Sequence, residues 1–184
     1  EYLKFGVIWI TFLDAKTLQQ VGSRIQPGEF GGEYVDLVYA APFFALTPDG
    51  RSVVTASSDG ELAWWNRETR KKTRSLEIAA GYHSVMISPD GLTAAVGIDG
   101  GLQLVDVRTG EVRTNSEVLT GSPQWLLFSP DGKTVVSTGL DGTVTLWEAE
   151  TASPRVTLRG HSASVGQPVF SPDGATLYTA SDDG

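Results

Sequence analysis

The tetrapeptide Ser-Pro-Asp-Gly stands at Ser88–Gly91, Ser129–Gly132 and Ser171–Gly174, and a near copy, Thr-Pro-Asp-Gly, occupies Thr47–Gly50. The aspartates of these four turns, Asp49, Asp90, Asp131 and Asp173, lie 41, 41 and 42 residues apart. A second Asp-Gly follows each one, at Asp59-Gly60, Asp99-Gly100, Asp141-Gly142 and Asp183-Gly184, with offsets of 10, 9, 10 and 10. A beat kept through four units makes the chain an internal repeat, so any fold it adopts must be periodic too. Each turn has its own physics. Proline presets φ at the first central position, aspartate tolerates the second and can accept backbone N–H bonds, and glycine takes the following position of positive φ. The turn thus joins two strands tightly, and the second Asp-Gly joins the next pair.

The segments between turns read as strands. Gln124–Phe128 precedes one turn and Lys133–Gly139 follows it; Thr143–Trp147 and Arg155–Arg159 come next. All are short, rich in β-branched and aromatic residues, and bounded by turn formers. No window longer than about ten residues keeps a helical period without glycine or proline. Each unit is therefore a four-stranded antiparallel meander. Its first strand is apolar on both faces: Leu46, Ile87, Phe128 and Phe170 stand three before the turn aspartate, and Ala45, Met86, Leu127 and Val169 stand four before it. Adjacent strand residues point to opposite faces, so both faces need cover, and sheets stacked radially around an axis supply it. That is an all-β fold, a β-propeller.

The period, the Ser-Pro-Asp-Gly turn, an aromatic-plus-acid pair at Trp147-Glu148 and the Gly160-His161 dipeptide together resemble the WD40-repeat family, and the repeat style resembles bacterial WD40 arrays. The equivalent pairs Trp65-Asn66 and Val105-Asp106 depart from the literal Trp-Asp signature. The resemblance implies a partial blade over residues 1–25, full blades over 36–77, 78–118 and 119–159, and a partial blade over 160–184. About four blades' worth is present, where the family resembles a seven-bladed ring of about 290 residues. The expectation is a segment of that larger ring; the alternative is a closed four-bladed ring in which residues 1–25 and 160–184 share one blade. The family's blades often carry a buried hydrogen-bonded set of His, Ser or Thr, Asp and Trp. By position it would comprise Thr55, Asp59 and Trp65 in one blade, Ser137, Asp141 and Trp147 in another, and His161, Thr179 and Asp183 in the last, with Asp99 alone in the blade between. These residues are expected to be structural.

Chemistry is sparse. The chain has no cysteine, which removes disulfides and thiolate metal sites, and its two histidines, His83 and His161, fall in different blades. No Gly-x-Ser-x-Gly elbow, His-x-x-x-His pair or phosphate loop is present, so no catalytic residue, cofactor or metal is assigned. The net charge of −8 opposes phosphate backbones, which argues against nucleic acid as a partner. The longest apolar run, Phe5–Leu13, falls well short of the ~20 residues that cross a bilayer. A cytoplasmic location is expected.

The resemblance implies a platform for other proteins, and in bacterial arrays of this style often the sensor or scaffold end of a regulatory protein. Carried over by position, its upper rim holds the strand-start residues Ala40, Pro42, Gly81, His83, Ser122, Gln124, Ser164 and Gly166 and the turn residues Ser58, Ile98, Leu140 and Asp182. Of these, Ser58, His83, Ile98, Gln124, Leu140 and Asp182 are the candidates for partner binding, joined by Trp125, whose repeat equivalents Phe43, Ser84 and Gln167 give its position no fixed character. Ile98 and Leu140 are large and apolar at turn tips; they either form a sticky patch or fold down onto neighbouring loops. The leading expectation is a protein-interaction module that docks a partner or another domain of its own chain. The alternative is a hydrolase-like propeller with a site in its central channel, and a purely structural repeat is the third reading.

Overall fold

The computed structural model describes residues 44–57, 60–78, 84–115 and 123–183. Among these there are fourteen strands and no helix. They form a first sheet of β1 (Phe44–Leu46), β2 (Ser52–Ala56), β3 (Glu61–Asn66) and β4 (Lys72–Glu77). A second holds β5 (Val85–Ile87), β6 (Thr93–Ile98), β7 (Gly101–Asp106) and β8 (Val112–Asn115). A third holds β9 (Trp125–Phe128), β10 (Thr134–Thr138), β11 (Val144–Glu148) and β12 (Pro154–Leu158). A two-stranded sheet of β13 (Val169–Phe170) and β14 (Leu177–Tyr178) follows. Every pairing is antiparallel and joins neighbours in sequence, so each sheet is a meander. The first strands of successive sheets lie against one another, β1 on β5 and β5 on β9, which makes the sheets radial blades with their first strands innermost.

The second blade shows why both faces are apolar. Ala94, Val96, Ile98 and Val105 pack against Val54, Ala56, Leu62 and Trp64 of the first blade. Ala95, Leu102 and Leu104 turn the other way, onto Leu126, Phe128, Val135 and Trp147 of the third. The two-residue alternation of a strand thus feeds two cores at once. A third cluster joins Val136, Val144 and Leu146 to Val165, Phe170 and Leu177 of the last blade.

The repeated turn is built identically four times. In three blades the Ser88, Ser129 and Ser171 hydroxyls donate to the Asp90, Asp131 and Asp173 carboxylates at 2.6 Å, and Thr47 donates to Asp49 at 2.7 Å. The same carboxylates accept the N–H of Leu92, Lys133, Ala175 and Arg51. The hydroxyls in turn accept the N–H of Thr93, Thr134, Thr176 and Ser52. Successive turns also touch. A Cβ placed on Gly91, Gly132 or Gly174 would stand 3.3, 3.6 or 3.4 Å from the ring of Pro48, Pro89 or Pro130 in the blade before.

These bonds favour the ionised carboxylates and hold all four aspartates below their ordinary range, the serine or threonine hydroxyl being the largest cause in each. A pKa lowered by folding contributes stability that is fully present above the unfolded value of about 3.9 and is lost as pH falls through the folded value. The urea midpoint at constant ionic strength is therefore expected to be flat with respect to these groups above about pH 5 and to drop progressively below pH 4. Asp90→Asn should shallow that acid limb, and an unchanged limb in the variant would refute the assignment.

Candidate functional site: a groove on the upper rim

The turns of the four Ser/Thr-Pro-Asp-Gly motifs lie at one end of the blades, and the β2–β3, β6–β7 and β10–β11 turns lie at the other, because each meander alternates direction. At this second end, between the third and last blades, Gln124, Trp125 and Leu140 face Ser164, Gly166 and Asp182 across a groove of about 300 Å³. Ala180 and Ser181 complete the far wall. Gln124 is fixed by its N–H bond to the Thr138 carbonyl at 2.8 Å, and Trp125 pairs with Thr138 in the β9–β10 ladder. Leu140 is 55% exposed at the tip of the β10–β11 turn, an apolar side chain facing solvent.

The two walls are stitched together. The Thr138 hydroxyl donates to the Val165 and Gly166 carbonyls at 3.1 and 3.2 Å, and the Val165 N–H donates to the Gly139 carbonyl at 3.2 Å. The Asp182 N–H reaches the Ser164 carbonyl, and Gly166 N–H reaches Ala180. The groove's width is consequently set by the Thr138 hydroxyl and by a main-chain bond between the walls.

Of the seven residues that the sequence offers for partner binding, the groove gathers Gln124, Trp125, Leu140 and Asp182. Ser58 and His83 lie outside the described residues, as does Asp59 of the structural set. Ile98 does not belong to the surface: it is 6% exposed and packs in the core between the first two blades. The sequence contains the reason. Its unit has the offset of nine, one residue shorter than the others, so the β6–β7 turn is the two-residue Asp99-Gly100 and Ile98 pairs with Gly101 inside the ladder. Leu140 sits in a longer turn and stays out. The apolar patch of two adjacent tips is thus corrected to a single exposed leucine beside Trp125. Ala180 and Ser181 escape notice in the sequence because small residues before an Asp-Gly carry no signal of their own.

The other residues assigned to structure are placed as follows. The Trp147 indole N–H donates to the Ser137 hydroxyl at 2.9 Å, and the Trp65 indole N–H donates to Thr55 at the same distance. The Asp141 carboxylate accepts from the N–H and hydroxyl of Thr143. Asp99 is exposed in its turn. His161 lies between Asp183, at 3.2 Å from Nδ1, and the Thr179 hydroxyl, at 3.0 Å from Nε2. Asp183 also accepts the Ser162 N–H at 2.6 Å, the chief cause of its lowered pKa, with His161 a lesser one. The set ties the start of the last blade to its second turn. Among the described residues no three His, Asp or Glu side chains come close enough together to hold a metal ion.

Residues 115–148 and 152–184 match the family model described as "WD domain, G-beta repeat". No curated protein matches the chain. Among solved structures it is similar to Kuenenia stuttgartiensis hydrazine synthase, with a TM-score of 0.66 and 20% identity over 82% of this chain. The chain spans 44% of that protein's length, and a likeness at this identity is one of fold alone.

Proposed function

We propose, for a chain that carries WD40 repeats at residues 115–148 and 152–184, a role as a rigid docking platform that binds a protein partner, or another domain of its own chain, through the upper-rim groove. WD40 propellers are in general interaction scaffolds and not enzymes. One observation carries the reading for this chain: an exposed leucine and a partly buried tryptophan line a groove whose opposite wall is polar and ends in Asp182. An apolar anchor with a polar margin is the arrangement that concentrates binding energy at protein interfaces. The hydrogen-bonded walls mean that little ordering entropy is lost on binding.

Selection of a displayed peptide library against the chain tests the proposal. Enriched peptides should lose about tenfold or more in affinity to Trp125→Ala and to Leu140→Asp, both of which should melt near the parent. Peptides that bind parent and variants alike, or no enrichment at all, would overturn it.

A further inference from the structure

The lower end of the first blade differs in charge from the others, and the repeat does not require the difference. Its two turns share one backbone design with the next two blades: the Arg67 N–H donates to the Arg51 carbonyl, Val107 to Leu92, and Ala149 to Lys133, at 2.8 to 2.9 Å. The side chains on that common frame diverge. The first blade has Arg51, Arg67, Arg70 and Lys71 where the second has Leu92, Val107, Gly110 and Glu111, and the third has Lys133, Ala149, Ala152 and Ser153. Four cations thus stand where the second blade has none and the third has one. The backbone at the Arg70 position is common to all three blades, with φ of 61° at Arg70, 79° at Gly110 and 56° at Ala152, so the difference between them lies in the side chains alone.

Arg51, Arg67 and Arg70 border a cavity of about 850 Å³ together with Asn66, Asp49 and Glu68. Arg51, Arg67 and Lys71 are exposed, and none is within ion-pair distance of a carboxylate among the described residues. Asp49 is already engaged by the Thr47 hydroxyl and the Arg51 N–H. We propose that this edge docks an acidic segment of a protein partner, its carboxylates spaced across the exposed Arg51, Arg67 and Lys71.

The geometry favours spaced carboxylates over a compact phosphate. A phosphate site usually gathers backbone N–H groups, but the turn N–H groups of Gly50, Arg67 and Arg70 are bonded to carbonyls, and those of Glu68 and Thr69 to the Asn66 side chain. The cations are strung over two turns with Asp49 and Glu68 between them, an alternation that repels a concentrated dianion more than single charges set apart. The chain's net charge of −8 does not defeat the attraction. At physiological ionic strength charges are screened beyond about 8 Å, so the local excess decides. Guanidinium groups pair with carboxylates in two-point fashion, which supplies the affinity.

The test is fluorescence anisotropy of a labelled octaglutamate peptide with the whole chain at physiological ionic strength. Arg51→Ala with Arg67→Ala should weaken binding about tenfold or more, and the single surface change Lys71→Glu should weaken it similarly. Arg108→Ala with Lys133→Ala, cations at the lower ends of the other blades, should stay within about twofold. Absence of binding to the parent, an equal loss in the control pair, or displacement of the peptide by an equal concentration of inorganic phosphate would each overturn the proposal. None of these results bears on the upper groove, whose variants leave this edge intact.

Discussion

Trp147→Ala will cost this chain about 4 kcal/mol or more, a large fraction of what holds a domain together. Trp147 is fully buried between the second and third blades, against Ala95, Leu102, Leu104, Leu126, Phe128 and Val135. Two losses combine in the variant. The indole leaves a cavity that neighbouring β-strands, fixed by their ladders, can fill only in part. Its N–H also leaves the Ser137 hydroxyl, itself 2% exposed, without the 2.9 Å bond that satisfied it, a further cost of about 1–3 kcal/mol. Trp147→Phe retains much of the volume and forfeits the bond, so about 1–2 kcal/mol is expected. Equilibrium unfolding in guanidinium measures all three proteins. A loss below about 1 kcal/mol for the alanine variant would show that the seam between these blades is not packed as described.

The second large effect is at Gly142. Its φ is +79°, and a Cβ there would run into the carbonyl oxygen of His161 and approach that of Ala163 at 3.1 Å. Those atoms are main chain and cannot swing aside as a side-chain end would. Gly142→Ala must therefore part the β10–β11 turn from the 161–166 segment and strain the Thr138–Val165 and Val165–Gly139 bonds. Left-handed strain of about 1 kcal/mol and overpacking of about 1–3 kcal/mol add to a loss near 3 kcal/mol. Gly160→Ala is the matched control, because no neighbouring atom lies within 4 Å of a Cβ at that position. A change within about 0.5 kcal/mol is expected there. Thermal melts of both variants decide the matter: equal shifts would mean that the turn is not wedged against its neighbour. The same displacement should spoil peptide binding in the groove, because Leu140 and Ser164 ride on the two segments being forced apart.

Much of the architecture could be read before any coordinates. The turn motif repeats with its hydroxyl, carboxylate and glycine in place, and the first strand of each unit is apolar on both faces, so radial sheets follow from burial alone. Ile98 shows where the reading failed while the information was present. One missing residue between two Asp-Gly pairs moves an apparent turn tip into a ladder. Trp65 and Trp147 show a different limit. They hold the same repeat position and make the same hydroxyl bond, yet Trp147 is fully buried and Trp65 partly exposed. Burial depends on what the next sheet brings, which a single unit does not encode. The groove is of that kind as well: its walls come from two blades, and its width is fixed by bonds between carbonyls and a threonine hydroxyl that no local pattern announces. The cations of the first blade were visible all along, but only a comparison of equivalent turn positions separates them from ordinary surface charge.

The contact of each proline ring with the glycine one sector further on has a mechanical consequence. Pro48 meets Gly91, Pro89 meets Gly132, and Pro130 meets Gly174, so the lower turns form a chain of single links, each joining only adjacent sectors. Cohesion in such an array is a sum of intrinsic and neighbour-to-neighbour terms. Damage at one link loosens the two sectors it joins and leaves the remainder with their own seams, so the array can yield in parts. A platform made this way can accommodate change in one sector's loops, through mutation or evolution, without renegotiating the whole.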